Sequence, residues 1–386
     1  MTQLETLIQT LCPNGVKFVK LGEVVRVLRG KRLTKSDLLS EALYNVYHGG
    51  IEPLGKYNEA NREGNTVMVI NVGASAGSVG FSKDAFWSSD GCFCLSKNDL
   101  TDSKFLYYYL LTQEKHLQSK VRKAGIPTLD SLVIENLQIP LPPLAVQSEI
   151  VRILDKFTLY KSELAAELAA RLQQYEYYRD QLFTFGDDVE RKTLGEIGTF
   201  TRGRRFCRTD IVDEGQSCIH YGDIYTYYGL NTTTTKTHLP YDFPVKLRYA
   251  EKGDVVIVGA GENDMDIGVG VVWEGNDSVA VHDACYIFKH NMNPRYISHY
   301  LRTINYHLQI KKYVNRGKIC SISAEGIAKA VIPIPSLAEQ ERIASILDRF
   351  DKLCHDIREG LPAEIDLRQK QYEHYRDKLL TFEAKG

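Results

Sequence analysis

Apolar residues recur at alternating steps of four and three along two long stretches of the chain. In the first stretch they include Ile150, Leu154, Phe157, Leu164, Leu168, Tyr175 and Tyr178. In the second stretch they include Ile343, Leu347, Phe350, Ile357, Tyr372 and Tyr375. This is the heptad pattern of coiled-coil helices, so we predict two helices that pack against each other. The alternative is that each helix belongs to the core of its own domain.

The two helical stretches are copies of one sequence. Residues 139–157 (IPLPPLAVQSEIVRILDKF) and 332–350 (IPIPSLAEQERIASILDRF) are identical at eleven of nineteen positions. Farther along, residues 174–185 and 371–382 are identical at nine of twelve positions. The second copy holds four extra residues around Gly360-Leu361-Pro362. Four added residues disturb a heptad register and proline removes a backbone donor, so we predict a kink or a break there.

The segments that precede the two helices combine short β-rich runs, glycine-rich turns and helical stretches, which is typical of an α+β fold. The apolar spacing at the start of the chain predicts a short amphipathic helix. We divide the chain into an N-terminal helix (1–15), a first globular domain (16–140), a first helical region (141–186), a second globular domain (187–333) and a second helical region (334–386).

Each globular domain begins with a similar basic segment, RGKRLTKSD at residues 29–37 and RGRRFCRTD at residues 202–210. Clustered Arg and Lys in a loop neutralise phosphates, and Arg can bind guanine through two hydrogen bonds. Glycine-rich loops at residues 73–80 and 259–270 allow close approach of the backbone to DNA. The alternative for each position is a solvated surface loop. The predicted DNA contacts are Arg29, Lys31, Arg32, Lys35, Lys56, Ser75, Ser78, Arg202, Arg204, Arg205, Arg208 and Asn263.

Composition excludes several classes of protein. A formal net charge of −1 with 25% charged residues argues against a polybasic nucleic-acid coat and an acidic disordered tail. No apolar run approaches the roughly 18 residues of a membrane span, and the first residues do not resemble a signal peptide. The eight cysteines lack zinc-type spacing, and Glu262, Asp264 and Asp266 are interpreted as a solvated acidic loop. We therefore expect reduced thiols, no metal site and a cytosolic location.

Two short segments raise an enzymatic alternative. Residues 256–261 (VIVGAG) resemble a glycine-rich cofactor loop, and residues 293–296 (NPRY) nearly match the N-P-P-[YF] motif of amino-methyltransferases. The second proline of that motif is missing, and the two segments lie too close together for a full cofactor-binding sheet. We therefore expect no catalytic residue in this chain. A further alternative is a scaffold whose globular halves bind protein.

With these segments in view, the chain resembles the DNA specificity subunits of type I restriction–modification systems over essentially its whole length. The repeated helical segments are similar to that family's two conserved helical regions. Leu21-Gly22-Glu23 and Leu194-Gly195-Glu196 are similar to the openings of its two target-recognition domains. Residues 162–172 (SELAAELAARL) resemble the four-residue repeats of one branch of the family.

The resemblance implies two pseudo-twofold-related mixed α/β target-recognition domains, separated by an antiparallel two-helix coiled coil. Each domain would read one part of a bipartite, asymmetric target in double-stranded DNA. The helices would set the spacer and dock partner subunits. The N-terminal helix would pack near the C-terminal end of the chain.

The resemblance also implies the partners. Two modification subunits would carry S-adenosylmethionine and methylate adenine at N6, and two motor–nuclease restriction subunits would use ATP and Mg²⁺. This chain would hold no cofactor and would catalyse nothing by itself. It would act in the cytoplasm of a bacterium or an archaeon.

Overall fold

In the computed structural model, which describes residues 3–262, 264, 266–356 and 359–385, the chain divides into two units. The first unit combines Met1–Leu164 with Ile365–Gly386, and the second is Ala165–Glu364. The first unit is therefore discontinuous in sequence, and the second is continuous.

The first unit contains three small β-sheets and the helices that pack on them. In chain order its elements are α1 (Gln3–Leu11), β1 (Phe18–Lys20), α2 (Leu21–Val24), β2 (Val27–Arg29), β3 (Tyr44–Tyr47), β4 (Gly55–Tyr57), β5 (Thr66–Ile70), β6 (Val79–Ser82), β7 (Phe86–Ser88), β8 (Cys92–Leu95), α3 (Ser103–Thr112), α4 (Glu114–Ser119), α5 (Ser131–Glu135), β9 (Gln138–Pro140) and the start of α6 (Leu144–Leu182). The strands form sheets in the orders β2-β8-β5-β6, β4-β3-β7 and β1-β9.

The second unit repeats this plan with additional strands. After α6 its elements are β10 (Arg191–Thr193), α7 (Leu194–Ile197), β11 (Gly198–Arg202), β12 (Gln216–Ile219), α8 (Tyr221–Asp223), β13 (Asn231–Thr232), β14 (Thr237–Leu239), β15 (Tyr249–Ala250), β16 (Val255–Val258), β17 (Ala260–Gly261), β18 (Gly270–Trp273), β19 (Val279–Val281), β20 (Cys285–His290), α9 (Pro294–Tyr300), α10 (Ile304–Ile310), β21 (Cys320–Ser321), α11 (Ala324–Ala328), β22 (Val331–Pro333), α12 (Leu337–His355) and the start of α13 (Leu361–Leu379). The sheet orders are β11-β20-β16-β18-β13, β14-β12-β19-β15, β10-β22 and β17-β21. The mixed α+β prediction is confirmed.

Strand β5 shows how sequence alternation builds the core of the first unit. Successive side chains of a strand point to opposite faces. Val67 and Val69 lie in the cluster that contains α3, whereas Met68 and Ile70 pack with Phe86 of β7. All five residues of β5 are buried because both faces of the sheet are covered.

The helical predictions hold in their main features. The first repeat copy forms α6 as one continuous helix of 39 residues. The second copy divides into α12, which ends at His355, and α13, which begins at Leu361 with Pro362 in its first turn. Proline is tolerated there because the first turn of a helix lacks intrahelical acceptors for its N–H groups. The predicted break is confirmed.

The predicted N-terminal helix forms α1, and its residues share a core with the C-terminal end of the chain. Leu4 is buried in the same cluster as Leu380. The Val16 N–H donates to the Glu383 carbonyl at 2.8 Å, and the Lys385 N–H donates to the Val16 carbonyl at 3.0 Å. The implied packing of the two ends is confirmed.

The N-terminal part of each heptad seam packs into the globular core of its unit. Ile150 and Leu154 are buried in the first unit, and Ile343 and Leu347 are buried in the second. These four residues therefore anchor α6 and α12 to their sheets, as core helices do.

Farther along the seam, repeat-equivalent residues exchange partners. Phe157 stacks on Tyr375 in the first unit, with ring centroids 5.3 Å apart. Phe350, the copy of Phe157, stacks on Tyr178, the copy of Tyr375, in the second unit at 5.8 Å. In each unit the two helices therefore meet through one phenylalanine and one tyrosine. The first unit takes its phenylalanine from the first repeat copy and its tyrosine from the second, and the second unit does the opposite.

The remaining seam residues lie between or beside these stacked pairs. In the first unit Leu164 is buried and Tyr372 is half-buried. In the second unit Tyr175 is buried and Leu168 is half-buried. Ile357 lies outside the described residues.

Candidate nucleic-acid interface

The two predicted basic segments occupy equivalent places, each at the end of a short strand. Arg29 ends β2, and Arg202 ends β11. The glycine that follows each arginine is required. A Cβ at Gly30 would overlap the backbone oxygens of Ser88 and Ser89, and one at Gly203 would overlap those of Val281 and His282. The backbone of each segment therefore lies directly against the next layer of strands.

In the first unit, β7 and the residue after it hold the backbone of the basic segment. The Lys31 N–H donates to the Ser88 carbonyl at 2.9 Å, and the Trp87 indole N–H donates to the Lys31 carbonyl at 2.8 Å. The Leu33 N–H donates to the Ser89 hydroxyl at 3.3 Å. Because the backbone is fixed in this way, the side chain of Arg32 projects outward and is exposed.

In the second unit a histidine takes over this anchoring. The Arg204 N–H donates to the Val281 carbonyl at 2.9 Å. The His282 Nε2–H donates to the Phe206 carbonyl at 3.0 Å, while His282 Nδ1 accepts from the Ala284 N–H at 3.1 Å. The ring of Phe206 is buried edge-on against His282. Arg205, between these anchored residues, is exposed.

The ring of the anchoring histidine packs at a tilt against that of a second histidine. The ring centroids of His220 and His282 are 4.6 Å apart. Burial lowers the pKa of His220 to about 4, and burial also lowers the pKa of His282. Both rings are therefore neutral at pH 7, as the acceptor role of each Nδ1 requires.

Each basic segment ends in a similar capped turn. Lys35 opens the turn Lys35–Asp37, and Arg208 opens the turn Arg208–Asp210. The Asp37 carboxylate accepts from the Thr34 N–H at 2.7 Å, and Asp210 accepts from the Cys207 N–H at 2.6 Å. Both cations are exposed on these turns.

The structure brings several of the predicted contacts of the first unit into one groove. Arg29, Arg32 and Lys35 line a cavity of about 540 Å³ together with His48 and Asp90. His48 Nδ1 lies 3.3 Å from the Asp90 carboxylate. One acidic group therefore sits among three cations, and the groove retains a positive balance suited to phosphate.

At the equivalent place in the second unit an aspartate also meets the arginine. The Arg202 guanidinium donates to the Asp283 carbonyl at 2.7 Å and lies 4.0 Å from its carboxylate. Arg204, on the same segment, has an exposed side chain.

The remaining predicted contacts lie elsewhere. Lys56 is exposed on β4, where its carbonyl accepts from the Leu39 N–H at 3.0 Å. Ser75 and Ser78 lie in the turn between β5 and β6, which packs on α4 through Gly77. Within the described part of the chain neither serine lines the 540 Å³ groove. Asn263 lies outside the described residues.

Sequence reasoning missed a repeated polar network behind these surfaces. The Asp155 carboxylate accepts from the Tyr108 hydroxyl at 2.6 Å and pairs with Lys104. The signal was present in the repeat, because this aspartate is identical in LDKF and LDRF.

The second unit contains the equivalent network. The Asp348 carboxylate accepts from His299 at 2.9 Å and from Arg295 at 2.7 Å. Burial alone would raise the pKa of Asp348, but the hydrogen bonds from His299 and Arg295 hold it below its usual range. These carboxylates fix α3 to α6 and α9 to α12.

The segments behind the enzymatic alternative have structural roles. Residues 255–258 form β16, which pairs antiparallel with both β18 and β20, whereas nucleotide-binding α/β sheets are parallel at the ligand. Asn293 caps α9 by accepting from the Tyr296 N–H at 2.9 Å.

The acidic loop contains Asp264, whose carboxylate lies 3.2 Å from the Arg316 guanidinium. Among the described residues, no group of three or more His, Cys, Asp or Glu side chains is arranged to hold a metal ion. The described helices also include none with the length and apolar character needed to cross a membrane.

Comparison with known proteins gives the same assignment for both units. The family model of the type I restriction modification DNA specificity domain matches twice, at residues 13–174 and 186–367. A putative type I restriction enzyme specificity subunit of Haemophilus influenzae is 30% identical, and the alignment covers 99% of this chain and 98% of that protein. The EcoR124I/EcoR124II specificity subunit of Escherichia coli is 33% identical over 72% of this chain and 70% of its own length.

A crystal structure shares the fold. The type I restriction–modification S subunit of M. genitalium superposes with a TM-score of 0.58 at 18% identity. The superposition covers 95% of this chain and 96% of that one.

Proposed function

The chain belongs to the type I restriction–modification DNA specificity family, and from this premise we propose that it selects the DNA target of such a complex without catalysing a reaction itself. Each unit reads one part of a bipartite, asymmetric target. The observation that carries this proposal is the recurrence of a basic segment, closed over a required glycine, at the same strand end of both units. Phosphate contacts position a protein on DNA, and the differing groups around them read sequence.

The surroundings of the two basic segments support different half-sites. Trp87 and Ser89 anchor the first segment, whereas His282 and Phe206 anchor the second. Identical surroundings would favour two identical half-sites. The differences therefore favour an asymmetric target.

We propose that the helices set the spacer and dock the modification subunits. Helix α6 is continuous over 39 residues, which corresponds to about 58 Å at 1.5 Å per residue. It exposes apolar side chains at Leu159, Tyr160 and Tyr177. Exposed apolar side chains on a long helix offer area for a partner protein.

The remaining components belong to the proposed partners. Two modification subunits supply S-adenosylmethionine and methylate adenine, and two restriction subunits supply ATP-driven, Mg²⁺-dependent cleavage. The proposed location is the bacterial or archaeal cytoplasm, where the DNA target is found.

Modified-base sequencing of DNA tests the proposal in cells that express the modification partner with and without this chain. We expect a split motif of methylated adenines that depends on the chain. The pairs Arg29→Ala/Arg32→Ala and Arg204→Ala/Arg205→Ala should each lower methylation of that motif roughly tenfold. Lys17→Ala and Lys252→Ala, two exposed lysines outside the basic segments, serve as controls. Chain-independent methylation, or arginine variants that methylate like wild type, would refute the proposal.

The same sequencing tests the role of the helices. Duplication of one four-residue unit within residues 162–172 lengthens α6 by about 6 Å, close to two base-pair steps of roughly 3.4 Å. We expect the spacer to grow by one or two base pairs with both half-sites unchanged. A changed half-site sequence would contradict this role.

A further inference from the structure

One connection between two strands is much longer in the second unit than in the first. In the first unit, residues 48–54 join β3 to β4. In the second, residues 220–236 join the equivalent strands β12 and β14. The strands are equivalent because each pairs antiparallel with the strand after the connection and parallel with β7 or β19. We call residues 220–236 the excursion.

Residues 220–230 of the excursion are held firmly at both ends. At the start, the ring of His220 packs at a tilt against that of His282, and its Nδ1 accepts from the Gly222 N–H at 3.3 Å. Toward the end, the Gly229 carbonyl accepts from the Arg302 guanidinium at 2.6 Å, and the Leu230 carbonyl accepts from the Ser298 hydroxyl at 2.9 Å. Residues 221–228 are therefore a projection fixed to the unit and not a loose loop.

Between these anchors the chain forms a π-helix at Ile224–Tyr228. π-helical turns are rare in proteins, and those that occur are often found at functional sites. This one buries Ile224 and exposes Tyr225 and Tyr227, at 38% and 59% of their full surface. The Lys236 ammonium lies 3.3 Å from the centre of the Tyr227 ring. The excursion thus presents two phenols and one cation to the outside.

The excursion also lies beside the basic segment of its own unit. Tyr221 packs on His282, with ring centroids 5.6 Å apart, and His282 anchors the Phe206 carbonyl next to Arg205. Burial raises the pKa of Asp223 within the excursion, and the positive charge of Arg208 opposes this shift. A polymer bound by the arginines would therefore pass close to the excursion.

We propose that the excursion is a second DNA-contacting element of the second unit, in which Tyr225, Tyr227 and Lys236 bind the sugar–phosphate backbone of the half-site that Arg204 and Arg205 approach. Hydroxyl and ammonium donors suit phosphate oxygens, and an aromatic ring can pack on a sugar. The proposal rests on the proposed function. It implies more phosphate contacts at the second half-site than at the first, where the connection has only seven residues.

The test uses the full chain in complex with its modification partner and a synthetic duplex that carries the methylated motif. The double variant Tyr225→Phe/Tyr227→Phe removes only two oxygens, so the fold is retained, as circular dichroism can verify. We expect its affinity for the duplex to fall roughly tenfold. Lys236→Ala should reduce the slope of log K against log salt by about 0.9, the value for one phosphate contact. Tyr241→Phe is the matched control, because Tyr241 is 84% exposed beyond the far end of β14.

The outcomes separate this inference from the proposed function. If the arginine variants weaken binding while the excursion variants keep wild-type affinity and salt slope, the excursion proposal is overturned and the specificity function stands. If the excursion variants lose the modification partner instead of DNA affinity, the element binds protein and the inference is again wrong. If the wild-type complex shows no preference for the motif, both fail.

Discussion

In the first unit the carboxylate of Asp155 ties α6 to Tyr108 and Lys104 of α3, whereas in the second unit Asp348 ties α12 to His299 and Arg295 of α9. The acceptor is the same residue in both copies, but every donor differs. The difference teaches that duplication preserved the positions that join helix to domain and left the chemistry of their partners free to change.

The buried glutamines make the same point. Gln147 accepts from the Asp102 N–H at 2.8 Å and donates to the Pro142 carbonyl at 2.7 Å. Gln340 accepts from the Asn293 N–H at 3.0 Å and donates to the Pro335 carbonyl at 2.8 Å. A buried amide with both functions satisfied fixes the start of each long helix to the cap of its neighbour.

The basic segments show where the units diverge. Trp87 holds the first, and neutral His282, supported by His220, holds the second. Trp87 lies in the first unit and Trp273 in the second, and they are the two tryptophans of the chain. Trp273→Phe therefore leaves a fluorophore that follows the first unit, and Trp87→Phe leaves one that follows the second.

The largest effect is expected from the required glycines. Gly30→Ala and Gly203→Ala each drive a Cβ into backbone oxygens, which cannot rotate away as a side chain can. Each variant should lower the free energy of unfolding of its own unit by about 2–3 kcal/mol. Guanidinium denaturation followed by the tryptophan of that unit measures the loss.

Glycines with open surroundings provide the matched controls for this experiment. A Cβ at Gly50 meets nothing within 4 Å, and one at Gly317 meets only the Ile319 oxygen at 3.7 Å. Gly50→Ala and Gly317→Ala should stay within about 0.5 kcal/mol of wild type. If Gly30→Ala and Gly203→Ala change the free energy of unfolding as little as these controls do, the backbone at the two glycines does not lie against the neighbouring strands as described.

An intermediate effect is expected from acid. Burial lowers the pKa values of His220 and His290 to about 4, below the value of about 6.5 expected in an unfolded chain. Between these values the unfolded state binds more protons, so stability is fully present above pH 6.5 and falls as the pH decreases. The second unit should therefore lose about 2 kcal/mol more than the first between pH 6.5 and pH 5.5, about 1 kcal/mol for each ring.

Denaturation at a series of pH values, followed by Trp87 or Trp273 alone, measures this difference. His290→Phe removes one of these low-pKa rings and should reduce the difference between the two units. Seven of the ten histidines lie in the second unit, so its stability should depend more strongly on pH than that of the first. Parallel pH profiles for the two units would contradict this prediction.

The smallest effect is expected from the aromatic pairs that the repeat copies exchange. Double-mutant cycles with leucine at Phe157 and Tyr375, and at Phe350 and Tyr178, should each give a coupling of about 0.5–1.5 kcal/mol. Similar values would show that the two pairs are energetically equivalent. A cycle of Tyr160→Leu with Tyr375→Leu is the control, because the Tyr160 ring packs on Arg368. In this control cycle the two substitutions should be additive within about 0.5 kcal/mol. If the control shows the same coupling energy as the aromatic pairs, the coupling does not come from the stacked rings.

The sequence predicts the helices well because their signals are local. The heptad seam covers α6, and Pro362 with four added residues marks the break between α12 and α13. The partner of each helix is a different matter. Periodicity identifies the face of a helix that packs but not its partner. The sequence therefore could not show that Phe157 stacks on Tyr375 while Phe350 stacks on Tyr178.

The candidate site was predictable only in part, for a similar reason. Arg29 and Arg202 stand at equivalent strand ends, as the matched motifs suggest. The serines at 75 and 78 lie in a glycine-rich turn, and glycine content predicts conformational freedom of a loop but not the direction in which it projects. That turn lies on α4 because Gly77 approaches the backbone of Gln118. The role of His282 depends on residues far apart in sequence, which no local pattern reveals.

The discontinuity of the first unit has a consequence for the order of events during synthesis. The second unit is one continuous segment, so every residue it needs is available once Glu364 has been made. The first unit waits for α13 to supply Tyr372 to its core and for the Glu383 carbonyl to meet the Val16 N–H. The unit that leaves the ribosome first is therefore completed last, and a message truncated after Glu364 would yield a complete second unit beside an incomplete first one.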